Sequence, residues 1–326
     1  MGEIKRVAVI GGGLIGQSWA ALMLARGFAV TVQDIAAGVE ARVTAAVARA
    51  WPDLVRLGSA EGEVPWERLE FEAGIGAACE GADFVQECGP DRIGVKRAIV
   101  AEIEVAAPEG AVIASSTSSL LASDIQAEAR NPERILVAHP FNPPHLVPLV
   151  ELVPGWHTSD AAMATARGFY EALGREVIVL RHDVVGHVAN RLSAALFREA
   201  VHIVAEGIAS VEDVDRAVMH GPGLRWALMG PFMTYHLGGG AGGFRHYMEH
   251  LGPTQAARWD ALGVPKLDRE TVEALVAGVE AALAGGGDDA LIRRRDAGLV
   301  GVLELKRGLD RVRRADDDYV GDRPRE

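Results

Sequence analysis

The segment Val7-Ala-Val-Ile-Gly-Gly-Gly-Leu-Ile-Gly-Gln17 runs an apolar strand straight into Gly11, Gly13 and Gly16. An apolar helical stretch follows from Leu14 to Ala25, then Gly27, a β-branched run from Phe28 to Gln33, and Asp34, eighteen residues after Gly16. This order constrains the fold to a strand, turn, helix and strand unit of a doubly wound sheet. Gly11 permits the tight turn, Gly13 lets the backbone approach a pyrophosphate, and Gly16 lets the helix pack closely on the strand. A diphosphate would then meet the helix N-terminus at Leu14 and Ile15. Asp34 stands where a ribose 2′-hydroxyl is read. An acid there favours NAD over NADP, because a 2′-phosphate would meet like charge and no compensating Arg adjoins it. The glycines alone fit a ligand-free turn equally well; strand, helix and terminal acid together point to a dinucleotide site.

At 326 residues, 49% of them hydrophobic and 24% charged, the chain has room for two globular domains with sizeable cores. Its net charge of −12 disfavours nucleic acid and anionic membranes as partners. The basic clusters Arg293 to Arg295 and Arg311 to Arg314 are short, lie beside acids, and read as solvated surface, with phosphate contact the lesser alternative. Two cysteines, Cys79 and Cys88, give neither a disulfide framework nor a zinc spacing, which suits a reducing compartment. Met1 leads directly into strand sequence without a signal-peptide pattern, and no apolar run has membrane-spanning length. A cytoplasmic location is therefore expected.

Up to residue 182 short Val/Ile-rich runs alternate with helical spacing. Strands are predicted at Arg6–Ile10, Ala29–Gln33, Leu69–Phe71, Phe84–Glu87, Val112–Ser115, Ile135–Ala138, Leu149–Leu152 and Glu176–Leu180. This is the pattern of a mostly parallel sheet covered on both faces. Val39–Leu57 has helical spacing that Pro52 should bend or interrupt. Beyond His182 the character turns helical, so the chain divides into an α/β Rossmann-type domain, 1–182, and an all-α domain, 183–326. The stretch Val185–Ile208 is apolar enough for a helix buried in the second domain or in a subunit interface. The run Gly238–Gly243, five glycines in six residues, fits either a mobile active-site loop or a plain connection. A second glycine run, Gly285–Gly287, precedes two aspartates, and an acidic, Arg-containing tail follows Ala315.

Oxidation of an alcohol with a nicotinamide needs a base for the hydroxyl proton and a group to orient that base. His139 opens the segment His139-Pro-Phe-Asn-Pro-Pro-His145, and Glu151 lies twelve residues on within Leu149-Val-Glu-Leu-Val153. A carboxylate in apolar sequence requires a partner. Paired with His139 it would fix the imidazole tautomer and favour the imidazolium. Spacing leaves open a hydrogen-bonded structural histidine and an ordinary ion pair.

Over nearly its whole length to about residue 250 the chain resembles the 3-hydroxyacyl-CoA dehydrogenase family, which joins a Rossmann domain to a helical, dimer-forming one. The resemblance rests on Gly11-Gly-Gly-Leu-Ile-Gly16, Ser115-Ser-Thr-Ser-Ser119, His139-Pro-Phe-Asn-Pro143, Leu149-Val-Glu-Leu-Val153 and Gly186-His-Val-Ala-Asn-Arg191. It implies that His139 is the base, Glu151 its partner, and Ser118 and Asn190 the polar groups holding the substrate oxygen and the histidine. It further implies NAD contacts from Asp34, Asp91, Lys96, Ser118 and Asn142, and a homodimer. Asp91 departs from the family's usual Glu, and His187 from its usual Phe. The extended Gly223-Leu-Arg-Trp-Ala-Leu-Met-Gly-Pro231 resembles the branch that includes L-gulonate 3-dehydrogenase, lambda-crystallin and carnitine 3-dehydrogenase.

That branch implies NAD-dependent oxidation of the 3-hydroxyl of a small L-3-hydroxy acid, L-gulonate first. Carnitine and 3-hydroxyacyl-CoA are the alternatives, and a non-catalytic crystallin-like protein is the reading from another class. Arg225 could then fork onto a free substrate carboxylate, or pair with a structural acid. Trp226, Phe232 and Tyr235 could help cage a quaternary ammonium, or simply pack in a core. His246-Tyr-Met-Glu-His250 matches an inverted zinc-peptidase pattern. It shows no third ligand, so no metal is expected there.

Overall fold

The computed structural model describes residues 4–283 and 287–321, with side chains through residue 309. Gly285 and Gly286 and the last residues of the acidic tail lie outside the described residues, as do the side chains of Arg311 to Arg314.

Eight strands form one sheet: β1 (Arg6–Ile10), β2 (Ala29–Gln33), β3 (Leu69–Glu72), β4 (Phe84–Glu87), β5 (Val112–Ser115), β6 (Ile135–Pro140), β7 (Leu149–Pro154) and β8 (Glu176–Val179). Their order is β3-β2-β1-β4-β5-β6-β7-β8. Helices α1 (Leu14–Ala25), α2 (Val39–Arg56), α3 (Ile75–Cys79), α4 (Ile93–Ala106), α5 (Ala122–Gln126) and α6 (Asp160–Ala172) cover it. Alternation along each strand feeds two cores. Val7 and Val9 of β1 join Trp19, Leu22, Val43 and Phe169 on one face, while Ala8 and Ile10 join Val100, Ile103 and Ile125 on the other. Strands buried on both sides explain why the sequence shows short continuous apolar runs.

One pairing departs from the parallel pattern. Strands β6 and β7 run antiparallel, with β8 parallel to β7. Only residues 141–148 separate β6 from β7, too few for the crossover that a parallel pair requires. In the resulting register His139 stands opposite Glu151.

Helix α2 continues through Pro52 rather than breaking. Its last turns are anchored on either side of the proline by buried Trp51 and Leu54 and by the indole N–H of Trp51 donating to the Gly62 carbonyl at 2.9 Å. These contacts outweigh the single backbone hydrogen bond that a proline removes.

The chain divides into compact units at Met1–Arg191 and Leu192–Glu326. Residues 182–191 stay with the sheet because Val188 and Ala189 donate backbone N–H bonds to Glu151, and Asn190 donates to the Ser118 carbonyl. The second unit is helical: α7 (Ala189–Ala205), α8 (Val211–His220), α9 (Pro222–Trp226), α10 (Pro231–Gly238), α11 (Gly243–Asp260), α12 (Arg269–Leu283) and α13 (Asp288–Gly321). Helix α7 starts later than its apolar sequence suggests, because Gly186 and His187 both hold positive φ.

The glycine run at 238–243 is a tight corner between α10 and α11, not a long loop. It holds one 3₁₀ turn, and a Cβ on Gly239 would lie 1.9 Å from the Gly243 carbonyl oxygen. His246 and His250 stack at 3.9 Å on α11. Among the described residues no group of three His, Cys, Asp or Glu is placed to hold a metal ion. None of the described helices is long and apolar enough to cross a membrane.

Candidate active site

The cofactor cradle follows from β1 and α1. Gly11 takes φ +105°, and a Cβ there would come within 2.7 Å of the Cys88 carbonyl oxygen. On Gly16 a Cβ would sit 1.8 Å from the Gly11 carbonyl oxygen, so helix and strand touch only because no side chain intervenes. Gly13 is different: its Cβ position meets nothing within 4 Å. It is the N-cap of α1, with no side-chain cap and no acid in the first turn. The unpaired N–H groups and positive dipole end of α1 thus open onto free space, which suits a diphosphate. Leu14 is exposed and Ile15 half-buried beside it. Asp34 follows β2, its carboxylate fixed by N–H bonds from Gly12 and Ala36, each 2.8 Å. These residues fit the adenosine and diphosphate parts of NAD.

The other end is a cleft of about 480 Å³ whose walls include Ile15, Asp91, Lys96, Ser118, His139, Asn142 and Asn190. These seven sequence-predicted residues come from five separate segments; Asp34, Glu151 and Arg225 do not line this cleft. His139 Nδ1 lies 2.8 Å from Glu151 Oε2. An ionised carboxylate can only accept, so Nδ1 carries the proton and Nε2 is the free acceptor. Asn190 Nδ2 is 3.5 Å from that Nε2 and donates to the Ser118 carbonyl at 3.2 Å.

Glu151 is completely buried. Burial pushes its pKa up, but hydrogen bonds from His139, Ala189 and Val188 outweigh this and hold it below the ordinary carboxylate value. The two backbone bonds, 2.9 and 3.0 Å to Oε1, come from the N-terminus of α7, where a negative charge is favoured.

Asp91 accepts hydrogen bonds from the hydroxyls of Thr117, Ser118 and Ser119. Burial raises its pKa, yet these bonds and nearby Lys96 bring it below its usual value. The shorter acid still reaches the Ser118 hydroxyl, at 3.1 Å.

Lys96 is buried, with its ammonium 2.8 Å from Glu87 Oε2 and 3.1 Å from the Gly89 carbonyl. Glu87, wholly buried, also accepts from Ser115 Oγ at 2.5 Å and Gly89 N at 2.6 Å. Sequence reading left Glu87 unassigned. The available signal was an acid ending an apolar strand, with a lysine nine residues on. Thr117, Ser116 and Cys88 also belong to this neighbourhood, and burial pushes the Cys88 thiol up to about 12, leaving it a neutral wall group.

Arg225 lies on α9 in the second unit, exposed and without a salt bridge among the described residues. In that unit Phe232 and Tyr235 of α10 meet Phe244 and Tyr247 of α11, with ring centroids 6.2 Å apart for Phe232–Phe244 and 4.8 Å for Tyr235–Tyr247.

A Rossmann-type sheet, an NAD cradle and a following helical domain define an NAD-dependent oxidoreductase acting on CH–OH groups. Residues 6–184 match the 3-hydroxyacyl-CoA dehydrogenase NAD binding domain and residues 186–280 the 3-hydroxyacyl-CoA dehydrogenase C-terminal domain. The chain belongs to the 3-hydroxyacyl-CoA dehydrogenase family. It is 47% identical to the L-carnitine dehydrogenase of Streptomyces coelicolor over 92% of this chain and 94% of the relative. To that of Bacillus cereus it is 42% identical, over 93% of each chain. Among solved structures, an NAD-dependent 5-formyl-3-hydroxy-2-methylpyridine 4-carboxylic acid 5-dehydrogenase superposes with a TM-score of 0.81 at 28% identity, covering 94% of this chain and 99% of the other.

Proposed function

We propose that the protein oxidises the 3-hydroxyl of L-carnitine with NAD, and that it works as a homodimer. The expectation of an L-gulonate-like substrate gives way to the carnitine alternative, because the similar relatives carry the name L-carnitine dehydrogenase. The chemistry rests on one observation above all, the buried His139–Glu151 pair, with His139 in the cleft wall and its Nδ1 taken by Glu151.

The alcohol proton passes to His139 Nε2 while Glu151, held through Nδ1–H, stabilises the positive charge that results. Asn190 and Ser118 orient the hydroxyl and the ring. NAD, if held there, would supply the acceptor for the hydride that C3 gives up in becoming the ketone carbon. Asp34 would read the adenosine ribose, and Asp91, Lys96, Ser118 and Asn142 would hold the nicotinamide end. Lys96 would do so with its charge already compensated by Glu87.

Carnitine carries a free carboxylate and a trimethylammonium group. Arg225, with no acid partner among the described residues, suits the first. Phe232, Tyr235, Phe244 and Tyr247 pack on one another, Tyr235 and Tyr247 face to face at 4.8 Å, so these rings serve the packing of α10 on α11. The test is NADH production over L-carnitine, L-gulonate, 3-hydroxybutyrate and 3-hydroxybutyryl-CoA. L-carnitine is expected to give the highest kcat/KM; a preference for the CoA ester or for gulonate would overturn the reading.

A further inference from the structure

His187 has no part in the mechanism above, yet three features single it out. Its side chain is wholly buried. Among the described residues it is the non-glycine residue with positive φ, +51°. Its Nδ1 is a buried atom with no hydrogen-bond partner among the described residues. A left-handed backbone, a buried imidazole and an orphaned nitrogen each cost free energy, so something must hold them in place.

The surroundings show what they serve. Gly186 at φ +78° and His187 at +51° are consecutive left-handed residues. They turn the chain so that the next two N–H groups, of Val188 and Ala189, converge on Glu151 Oε1. Successive N–H groups aimed at one point form a concavity that holds an anion. The side chain acts in the opposite direction. Nε2 lies 3.3 Å from the Thr117 carbonyl oxygen, an obligate acceptor, so Nε2 carries the proton. The ring centroid is 5.1 Å from that of His139, tilted by 46°. Thr117 in turn bonds Asp91 and adjoins Ser118.

We propose that His187 is a positioning residue for the His139–Glu151 pair. Its backbone turn aims two N–H groups at Glu151, and its imidazole ties the Ser118-bearing loop down beside His139. This rests on the reading of His139 as the base. The titratable groups facing His187 are His139, Glu151 and Asp91. Burial first, and His139 next among the opposing influences, keep its pKa below the ordinary imidazole value despite the Thr117 bond and the two acids. A neutral ring neither competes for Glu151 nor repels the imidazolium that His139 becomes.

Backbone and ring can be separated by substitution. Asn tolerates left-handed φ and keeps an N–H donor, Gly keeps the turn without a side chain, and Leu fills volume but offers no donor and disfavours the turn. The readouts are kcat with L-carnitine, NADH affinity by fluorescence, and the proton NMR signal of His139 Nδ1–H, which needs no substrate. H187L and H187G are expected to lose roughly 10- to 100-fold in kcat, the scale of a displaced catalytic group, and to shift or broaden the Nδ1–H signal. NADH affinity should stay within about 3-fold, and H187N should recover most of the rate. H187L with wild-type kcat and an unchanged signal, or H187N as impaired as H187L, would overturn the proposal. If the glycine variant unfolds, the Asn and Leu variants decide it. Failure of the base reading is separately visible, as an H139A enzyme with wild-type kcat, because in the His187 variants the Nδ1–H signal reports the His139–Glu151 contact whatever the substrate.

Discussion

At the residue scale the site depends on which nitrogen of His139 is free. Glu151 takes Nδ1–H at 2.8 Å, so in the proposed mechanism Nε2 is the nitrogen that receives the substrate proton. His139→Ala is therefore expected to lower kcat by roughly 10²- to 10⁴-fold, the range of a lost general base, with NADH affinity nearly unchanged. Glu151→Gln keeps the shape but removes the charge and allows the wrong tautomer, and should cost roughly 10²-fold or more in kcat. Single-turnover rates beside NADH titrations check both. Near wild-type kcat in His139→Ala removes the mechanism. Asp34 makes a second residue-scale claim. Its carboxylate is immobilised by Gly12 and Ala36, so a 2′-phosphate would meet a fixed negative charge, a clash worth several kcal/mol. NAD should exceed NADP in kcat/KM by roughly 10²-fold or more, with each 1.4 kcal/mol worth tenfold. Equal use of the two cofactors would refute the Asp34 assignment.

At the scale of elements, the contact between β1 and α1 gives a test in which two glycines of one motif part company. Gly16→Ala puts a Cβ 1.8 Å from the Gly11 carbonyl oxygen. Such overpacking costs about 1–3 kcal/mol or more, and both Tm and NADH affinity should fall. Gly13→Ala meets nothing within 4 Å, so Tm should hold while NADH affinity alone drops as the methyl enters the diphosphate space. Equal loss of Tm in both would contradict the division of labour. The strands were legible from sequence to within a residue or two at most ends, because the central ones, β4, β5 and β6, are buried on both faces and read as short apolar runs, while the edge strands β3 and β8 are only partly buried. The antiparallel turn of β7 was less so: periodicity carries no direction, and the short 141–148 connection had to be weighed against the crossover that a parallel strand needs. That direction is what sets His139 against Glu151, so a pair guessed from chemistry becomes a register partner only in the fold. The late start of α7 and the clamp on Glu151 were not legible, since both arise from left-handed φ at His187, a residue whose type does not announce it. The resemblance points to Lys96 as a cofactor contact, and it lines the cleft, but its burial against Glu87 was not legible, because the pair forms only when α4 packs against the end of β4.

At the scale of the molecule, the buried groups make stability depend on pH in a stated direction. Glu151 has its folded pKa lowered, so its contribution is complete above the ordinary carboxylate value and is lost as pH falls through the folded one. His187 also has its folded pKa lowered. Between that value and the ordinary value of about 6.5 the unfolded chain binds the extra proton, so stability rises with pH across this window and is complete above it. Calorimetry should therefore show Tm falling on acidification below about pH 6.5 in the wild type, and less steeply in H187N; parallel curves would refute this reading of His187. Assembly is the remaining question at this scale. In the second unit the described residues include only three buried hydrophobics, Val201, Tyr247 and Val300. Leu192, Leu196 and Phe197 of α7 are instead 61%, 40% and 62% exposed. Open apolar surface of this extent is what the homodimer proposed above would cover. Light scattering should then give about twice the 34.6 kDa chain mass. Leu196→Glu with Phe197→Asp should shift the mass toward one chain and lower Tm by several degrees, because charges placed in a closed interface are buried unpaired. A monomeric wild type, or a double variant that remains dimeric with unchanged Tm, would show that α7 faces solvent by design.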